Sequence, residues 1–112
     1  MLRSTGIVVC GLLSACAAWE PGQDRVGQDL LPQANAVLVA LNGYVKSNRK
    51  PPPDLAALVP HYIAALPAQP ELNYSRKRGT LVFNYQPGWP DPRVSACQAH
   101  IGEAAFHCVA YH

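Results

Sequence analysis

Charged residues are scarce in this sequence. Of its 112 residues, 14% are charged, and nine basic side chains against seven acidic ones leave a formal net charge of +2. That excess is too small to suggest a nucleic-acid-binding protein, and a hydrophobic content of 49% is too high for a disordered chain. Neither the eight glycines nor the eleven prolines recur with a period, which excludes collagen and a coiled coil. Length and composition together predict one small domain.

Long apolar runs are also missing, with one short exception near the N-terminus. Arg3 is the only charged residue before Glu20, and an apolar run over residues 6–13 leads into the small residues Ser14 and Ala15. The run is shorter than the about 20 residues that a transmembrane helix needs. Its basic, apolar, small-residue order is typical of a secretory signal peptide, which we predict over residues 1–15. The alternative is a buried N-terminal helix or strand.

The end of this segment resembles a known processing site. Residues Leu13-Ser14-Ala15-Cys16 resemble the lipobox of bacterial lipoproteins, in which signal peptidase II cleaves before the cysteine. The resemblance implies that Cys16 carries a diacylglycerol thioether and an N-acyl chain such as palmitate, which would anchor the protein stably. Ala17, in place of an inner-membrane retention aspartate, implies the outer membrane, with the domain facing the periplasm. Residues 16–29 are then the lipidated cysteine and a tether, and residues 30–112 the domain.

The start of the expected domain has a helical pattern. Asp29 is placed to cap a helix over about residues 30–48, and Pro32 fits only its first turn. The apolar residues that recur on one face of this helix are Ala34, Leu38, Leu41 and Val45. The basic residues at its C-terminal end suit the helix dipole and are interpreted as a solvated helix end.

A proline-rich connection follows the helix. Residues 51–53 are three prolines that end it, and Asp54 is predicted to cap a short helical turn over residues 55–59. Around this connection stand Tyr44, Pro52, Leu55, Leu58-Val59-Pro60, Tyr62-Ile63 and Leu66-Pro67. The layout, which covers roughly residues 34–70, resembles type IV pilin-like proteins, including the pseudopilins of type II secretion.

The pilin resemblance implies a fold and a kind of function. The implied fold is α+β: an N-terminal helix, a proline-rich connection and a small four-stranded antiparallel sheet, often with a C-terminal disulfide. The implied function is a structural or accessory part in a secretion or pilus machine. The chain has no Gly-Phe prepilin-peptidase site, no polymerising apolar helix and no acidic cluster like the pseudopilin calcium loop. The resemblance therefore does not extend to filament assembly or calcium binding.

The C-terminal half has the patterns of two β-hairpins. Residues 71–76 and 80–86 flank Lys77-Arg78-Gly79, which predicts a three-residue connection with Gly79 in the left-handed conformation. The second hairpin spans residues 97–108, with Gly102-Glu103 as a two-residue turn at its midpoint.

Cys97 and Cys108 are the two cysteines left if Cys10 is removed with the signal peptide and Cys16 is acylated. In an oxidising compartment, an even number of cysteines favours a disulfide. A continuous helix would hold the two about 16 Å apart, which is too far for a bridge, whereas the hairpin places them opposite each other. The sequence therefore favours a Cys97–Cys108 disulfide in a hairpin.

A zinc site is the alternative for the same cysteines. The spacings Cys97-x2-His100 and Cys108-x3-His112 occur among zinc ligands, although export favours the disulfide. We expect His61 and His107 to be surface residues. The predicted site residues are thus Cys16 for lipidation and Cys97 with Cys108 for the disulfide, with no metal and no cofactor.

No catalytic pattern stands out in the sequence. It has no nucleophile elbow, no His-Glu-x-x-His and no phosphate-binding glycine-rich loop, so we predict that the protein is not an enzyme and has no small-molecule substrate. Two functions are open. One is a lipid-tethered structural or accessory component that docks on a secretion- or pilus-type machine. The other is a periplasmic binding or inhibitory (immunity-type) lipoprotein directed against a protein partner. Both imply a membrane and an envelope protein as partners, and no nucleic acid.

Overall fold

One helix covers one face of an antiparallel sheet. The computed structural model describes residues 20–88 and 91–111. Within these ranges the elements are helix α1 (Arg25–Asn48), the 3₁₀ helix η1 (Leu55–Leu58) and strands β1 (Asn73–Ser75), β2 (Thr80–Tyr85), β3 (Val94–His100) and β4 (His107–Tyr111). The strands lie in chain order, and each neighbouring pair is antiparallel. The predicted α+β class, with a four-stranded sheet after a proline-rich connection, is confirmed.

Helix α1 begins at Arg25, before the predicted start at residue 30. Its N-cap is Asp24, whose Oδ2 accepts a hydrogen bond from the Gly27 N–H at 3.0 Å. Asp24 is buried and has a second partner in the sheet, Tyr85, whereas Asp29 is exposed within the helix. The predicted cap was therefore wrong, and the last residues of the predicted tether, 25–29, are helical.

The earlier start places Pro32 inside the helix, so the prediction that it lies in the first turn is wrong. Pro32 has no N–H to donate to the carbonyl of Gln28, but both residues are exposed, and the missing bond lies on the solvent side. At the other end, Arg49 adopts a left-handed conformation with φ 63°, and its N–H bonds to the Val45 carbonyl at 2.8 Å. The helix ends there, before the three prolines, as predicted.

The hydrophobic core lies between α1 and the inner face of the sheet. Of the predicted helix face, Ala34, Leu38 and Leu41 are fully buried, and Val45 packs at the margin. Alternate residues of the central strands complete the core: Leu81, Phe83, Tyr85, Ser95, Cys97 and Ala99. This alternation assigns every second residue of β2 and β3 to the outer face of the sheet.

The proline-rich connection carries the chain from the end of α1 to β1. Asp54 caps η1 as predicted, since its Oδ1 accepts a hydrogen bond from the Ala57 N–H at 3.1 Å. Leu58, the last residue of this short helix, is fully buried. The Tyr74 hydroxyl of β1 donates to the Pro52 carbonyl at 2.7 Å, so the connection is fastened to the sheet.

The first hairpin has a longer connection than predicted. Ser75 pairs with Thr80, which leaves residues 76–79 as a four-residue connection rather than three. The Gly79 N–H returns to the Ser75 carbonyl at 2.8 Å, and the Ser75 hydroxyl accepts a hydrogen bond from the Arg78 N–H at 3.2 Å. These bonds hold Arg76 in the turn instead of in the strand. Gly79 has φ 67°, so the predicted left-handed glycine is confirmed.

The second hairpin has the predicted cysteine register but not the predicted turn. Cys97 lies directly opposite Cys108, yet the pairing of β3 with β4 stops at Gln98 and His107. β3 continues to His100 because it still pairs with β2, and residues 101–106 form a loop instead of a tight turn at Gly102-Glu103. The loop turns inward and buries the Phe106 ring, edge-on to Phe83 with centroids 5.4 Å apart.

Candidate interaction surfaces

The predicted lipidation site, Cys16, lies outside the described residues, as does the predicted signal peptide over 1–15. In the part of the chain that the structure describes, no helix has both the length and the apolar character needed to cross a bilayer. The first described residues, 20–24, lead directly into α1.

Cys97 and Cys108 form a disulfide, as predicted, with an S–S distance of 2.06 Å. Cys97 is buried, and Cys108 is half-buried against the core. The bridge uses both sulfur atoms, so the zinc alternative has no thiolate ligand left. His100 and His107 are exposed, His112 lies outside the described residues, and within residues 20–88 and 91–111 no group of three His, Cys, Asp or Glu side chains has an arrangement that could hold a metal ion. His61 is exposed as well, as predicted.

Glu103 organises the loop between β3 and β4. Its Oε1 accepts a hydrogen bond from the His100 N–H at 2.8 Å, and its two oxygens lie 3.7 Å and 4.0 Å from the imidazoles of His100 and His107. The hydrogen bond from the His100 N–H, followed by the electrostatic interaction with His100 and His107, lowers the pKa of the Glu103 carboxyl against the opposing effect of desolvation. His100, one of the two histidines of the zinc alternative, and His107 are therefore neighbours of a carboxylate.

Asn42 of α1 holds the same loop from the other side. Its Oδ1 accepts a hydrogen bond from the Gly102 N–H at 2.7 Å, and its Nδ2 donates to the Glu103 carbonyl at 2.9 Å. These two bonds satisfy two backbone groups of the loop and tie it to α1. Gly102 has φ 99°, a conformation that favours glycine.

A buried polar junction joins the start of α1 to the sheet. The Tyr85 hydroxyl donates to Asp24 Oδ1 at 2.7 Å and accepts from the Gly22 N–H at 3.1 Å. Burial, together with the hydrogen bond to Asp24, raises the pKa of Tyr85. Sequence analysis missed this junction because Asp24 lies in the segment interpreted as a tether. Its one signal was an N-cap residue just before a stretch that can be helical.

The outer face of the sheet exposes apolar side chains beside β4. We call the surface formed by Val94, Ala96, Val109 and Tyr111 the edge patch. Ala96 pairs with Val109, and Val94 pairs with Tyr111, so the four side chains are adjacent on one face. Val109 is 63% exposed and Tyr111 is 47% exposed. In the described structure α1 covers only the opposite face, which leaves this patch in contact with solvent.

Strand β4 is also an edge of the sheet. Among the described strands it pairs only with β3, so one side of its backbone carries no strand partner. Proteins commonly protect such edges with lysine, proline or a bulge, and residues 107–111 contain neither lysine nor proline and pair with β3 in continuous register. An exposed apolar patch beside an unprotected edge is suited to receiving a further strand.

A shallow groove lies between α1 and the proline-rich connection. Its volume is about 200 Å³, and its apolar walls include Val37, Leu55, Leu66, Pro67, Pro70 and Leu72. Small-molecule pockets are usually about 300–1,000 Å³. The size of this groove suits a single apolar side chain.

Comparison with protein-family models, with curated proteins and with solved structures found no match for this chain.

Proposed function

We propose that this chain is a non-enzymatic, lipid-anchored protein of the bacterial cell envelope whose pilin-like domain docks on a secretion- or pilus-type machine. The lipobox-like residues ending at Cys16 support the anchor and the periplasmic side of the outer membrane. The α+β fold with its C-terminal disulfide is compatible with the pilin resemblance around Leu55 to Pro67.

The position of the junction between Asp24 and Tyr85 limits how far the domain can lie from the membrane. Asp24 stands eight residues after Cys16, and an extended chain of that length spans at most about 29 Å. An anchor on Cys16 would therefore keep the start of α1 close to the bilayer. The domain would meet its partner at the membrane surface instead of searching the periplasm at the end of a long tether.

The observation that carries the docking proposal is the edge patch beside β4. We propose that an extended segment of a machine protein adds to β4 as a fifth strand, with Val109 and Tyr111 packing under its side chains. Backbone hydrogen bonds would provide much of the affinity, and alternate side chains the specificity. A second copy of this chain pairing with β4 is the competing occupant.

Membrane anchorage is tested with Cys16→Ser in the full chain. We expect this variant to lose lipid labelling and the globomycin-sensitive cleavage that the unaltered chain undergoes. Equal lipid labelling of both proteins, or an unaltered chain whose processing is insensitive to globomycin, would contradict the anchor.

Docking is tested with a photo-crosslinking amino acid placed at position 109 or, as a control, at position 39. Val39 is 66% exposed on α1, so the two valines are matched in type and exposure. We expect an adduct at position 109, and not at position 39, with a component of a secretion or pilus machine identified by mass spectrometry. An adduct with a toxin or hydrolase would instead support the inhibitory lipoprotein, and an adduct of only two copies of this chain would contradict docking.

A further inference from the structure

Six basic side chains lie at the end of the domain opposite the Asp24 junction. Lys46, Arg49 and Lys50 are at the C-terminal end of α1, and Arg76, Lys77 and Arg78 form the β1–β2 connection. All six are exposed. We call this surface the basic pole. Helix α1 has 24 residues, so about 36 Å separates the junction from this pole.

The fold brings the two groups of cations together, although they are far apart in the sequence. The hydrogen bond from Tyr74 to the Pro52 carbonyl joins β1 to the proline-rich connection at 2.7 Å. Lys50 stands two residues before Pro52, and Arg76 stands two residues after Tyr74. Each group therefore begins two residues from this contact, one along the proline-rich connection and the other along the chain after β1.

The domain does not use these charges internally. Among the described residues, none of the six cations has a carboxylate within ion-pair distance, whereas Arg93 lies 2.7 Å from Asp91. The nearest acidic side chain in sequence, Asp54, is engaged as the cap of η1. The field of the six charges is therefore directed into solvent.

The small net charge of the chain does not reveal that acidic and basic side chains lie at opposite ends of the fold. The end around the junction carries Glu20, Asp24, Asp29 and Asp91 against two arginines, Arg25 and Arg93. The described fold thus has an acidic end near the predicted anchor and a basic end away from it. From the sequence, the first group was interpreted as a solvated helix end and the second as part of a hairpin connection, and only the fold makes them one surface.

Three tyrosines lie beside the basic pole. Tyr44 and Tyr62 pack with ring centroids 5.3 Å apart, and Tyr74 lies on β1 next to the turn. All three are partly exposed. Tyrosine and arginine are the residue types enriched where protein interfaces carry most of their binding energy. The combination of tyrosines with arginines matches this composition, so we favour a protein partner, and the test below separates it from an anionic lipid surface.

We propose that the basic pole binds an acidic segment of a protein partner. Aspartate and glutamate side chains of that segment would pair with Arg49, Arg76 and their neighbours, while its apolar parts would rest on the tyrosine rings. This surface is separate from the edge patch, and it could contact either the same partner or another one. The proposal depends on the described fold and not on lipidation of Cys16.

The test measures binding of a fluorescent twelve-residue peptide of alternating Glu and Asp to the full chain in detergent. We expect Arg76→Gln to weaken binding about two- to fivefold, as expected for a partly exposed ion pair. A triple variant that adds Arg49→Gln and Arg78→Gln should weaken it further. Raising the salt from 0.05 M to 0.5 M should reduce binding, because exposed charges are screened.

Arg25→Gln is the matched control, since it removes one exposed cation from the opposite end. We expect it to leave peptide binding unchanged, as should Val109→Asp in the edge patch. Circular dichroism of each variant checks that the fold is intact. An equal loss with Arg25→Gln, or binding to phosphatidylglycerol vesicles without binding to the peptide, would overturn the proposal.

Discussion

Tyr85 and Asp24 are joined by a buried hydrogen bond of 2.7 Å across 61 residues of sequence. Asp24 is the N-cap of α1, and Tyr85 is the last residue of β2. One oxygen of the Asp24 carboxylate thus caps the helix, and the other accepts a hydrogen bond from the sheet. The position at which the helix begins is therefore set by a contact with the sheet as well as by local sequence.

Removing the hydroxyl in Tyr85→Phe should lower the free energy of unfolding by about 1.5–3 kcal/mol, because hydrogen bonds to charged groups contribute about this much. The Gly22 N–H would lose its partner at the same time. Urea denaturation of the two proteins measures the difference. Tyr74→Phe is the control, since it removes a bond to a neutral carbonyl and should cost only about 0.5–1.5 kcal/mol. Equal losses in the two variants would contradict a special contribution from Asp24.

Two glycines of α1 should respond in opposite ways to substitution by alanine. A Cβ on Gly27 would lie 2.5 Å from the Tyr85 hydroxyl and 2.7 Å from the Gly22 carbonyl oxygen, so Gly27→Ala should destabilise by about 1–3 kcal/mol. A Cβ on Gly43 would lie 3.5 Å from the Tyr62 ring, an ordinary contact. Gly43→Ala should stabilise the helix by about 0.5–1 kcal/mol. Thermal melts of both variants check the predicted difference in sign.

The Cys97–Cys108 bridge closes a loop of about a dozen residues, and the chain-entropy relation gives about 3 kcal/mol for such a loop. Reduction, or Cys108→Ser, should therefore lower the melting temperature by about 4–8 °C for each kcal/mol lost. We expect far-UV circular dichroism to retain the helix. Intact mass without reductant should be two hydrogens below that of the reduced protein. Two alkylatable thiols together with a bound metal would contradict the bridge.

Because of Glu103, the free energy of unfolding should depend on pH. Its pKa is lowered in the folded protein, so its contribution is present above the usual carboxyl range near pH ~4.3 and is lost as the pH falls through the lowered value. In Glu103→Gln, the melting temperature should fall less steeply as the pH is lowered, and it should be largely unchanged near neutral pH. Melting temperatures between pH 2.5 and 6 measure the effect. If the melting temperature of the variant falls with pH as steeply as that of the unaltered chain, other carboxylates account for the dependence.

Local rules predicted the parts of the fold that depend on short stretches of chain. The cap at Asp54 follows from an aspartate before a short apolar run, and the left-handed Gly79 follows from a hairpin connection that ends in glycine. The register of Cys97 with Cys108 follows from the distance limits of a disulfide. Each of these needs only the chemistry of a few neighbouring residues.

The errors arise where distant residues compete with local ones. Asp29 satisfies the local rule for an N-cap. Asp24 satisfies it too and also accepts a hydrogen bond from the Tyr85 hydroxyl, and the helix starts after Asp24. Gly102-Glu103 satisfies the rule for a two-residue turn, but the Glu103 N–H bonds to the His100 carbonyl at 3.0 Å, so the turn lies one residue earlier, and Asn42 ties it to α1. The basic pole and the edge patch were missed for the same reason, since each brings together residues that are distant in sequence. The contact between β1 and the proline-rich connection assembles the pole, and the register of β3 with β4 assembles the patch.

The chain-order arrangement of the strands bears on how quickly the domain can form. Every strand in the β1-β2-β3-β4 sheet pairs with its neighbour in sequence, so the sheet closes through short loops. Domains rich in such local contacts fold fast, because little chain entropy is lost before each contact forms. The bond between Asp24 and Tyr85 spans 61 residues and is among the most distant in sequence. We therefore expect the meander to assemble first and the start of α1 to lock against it late, which φ-value analysis at Tyr85 and Val82 can resolve.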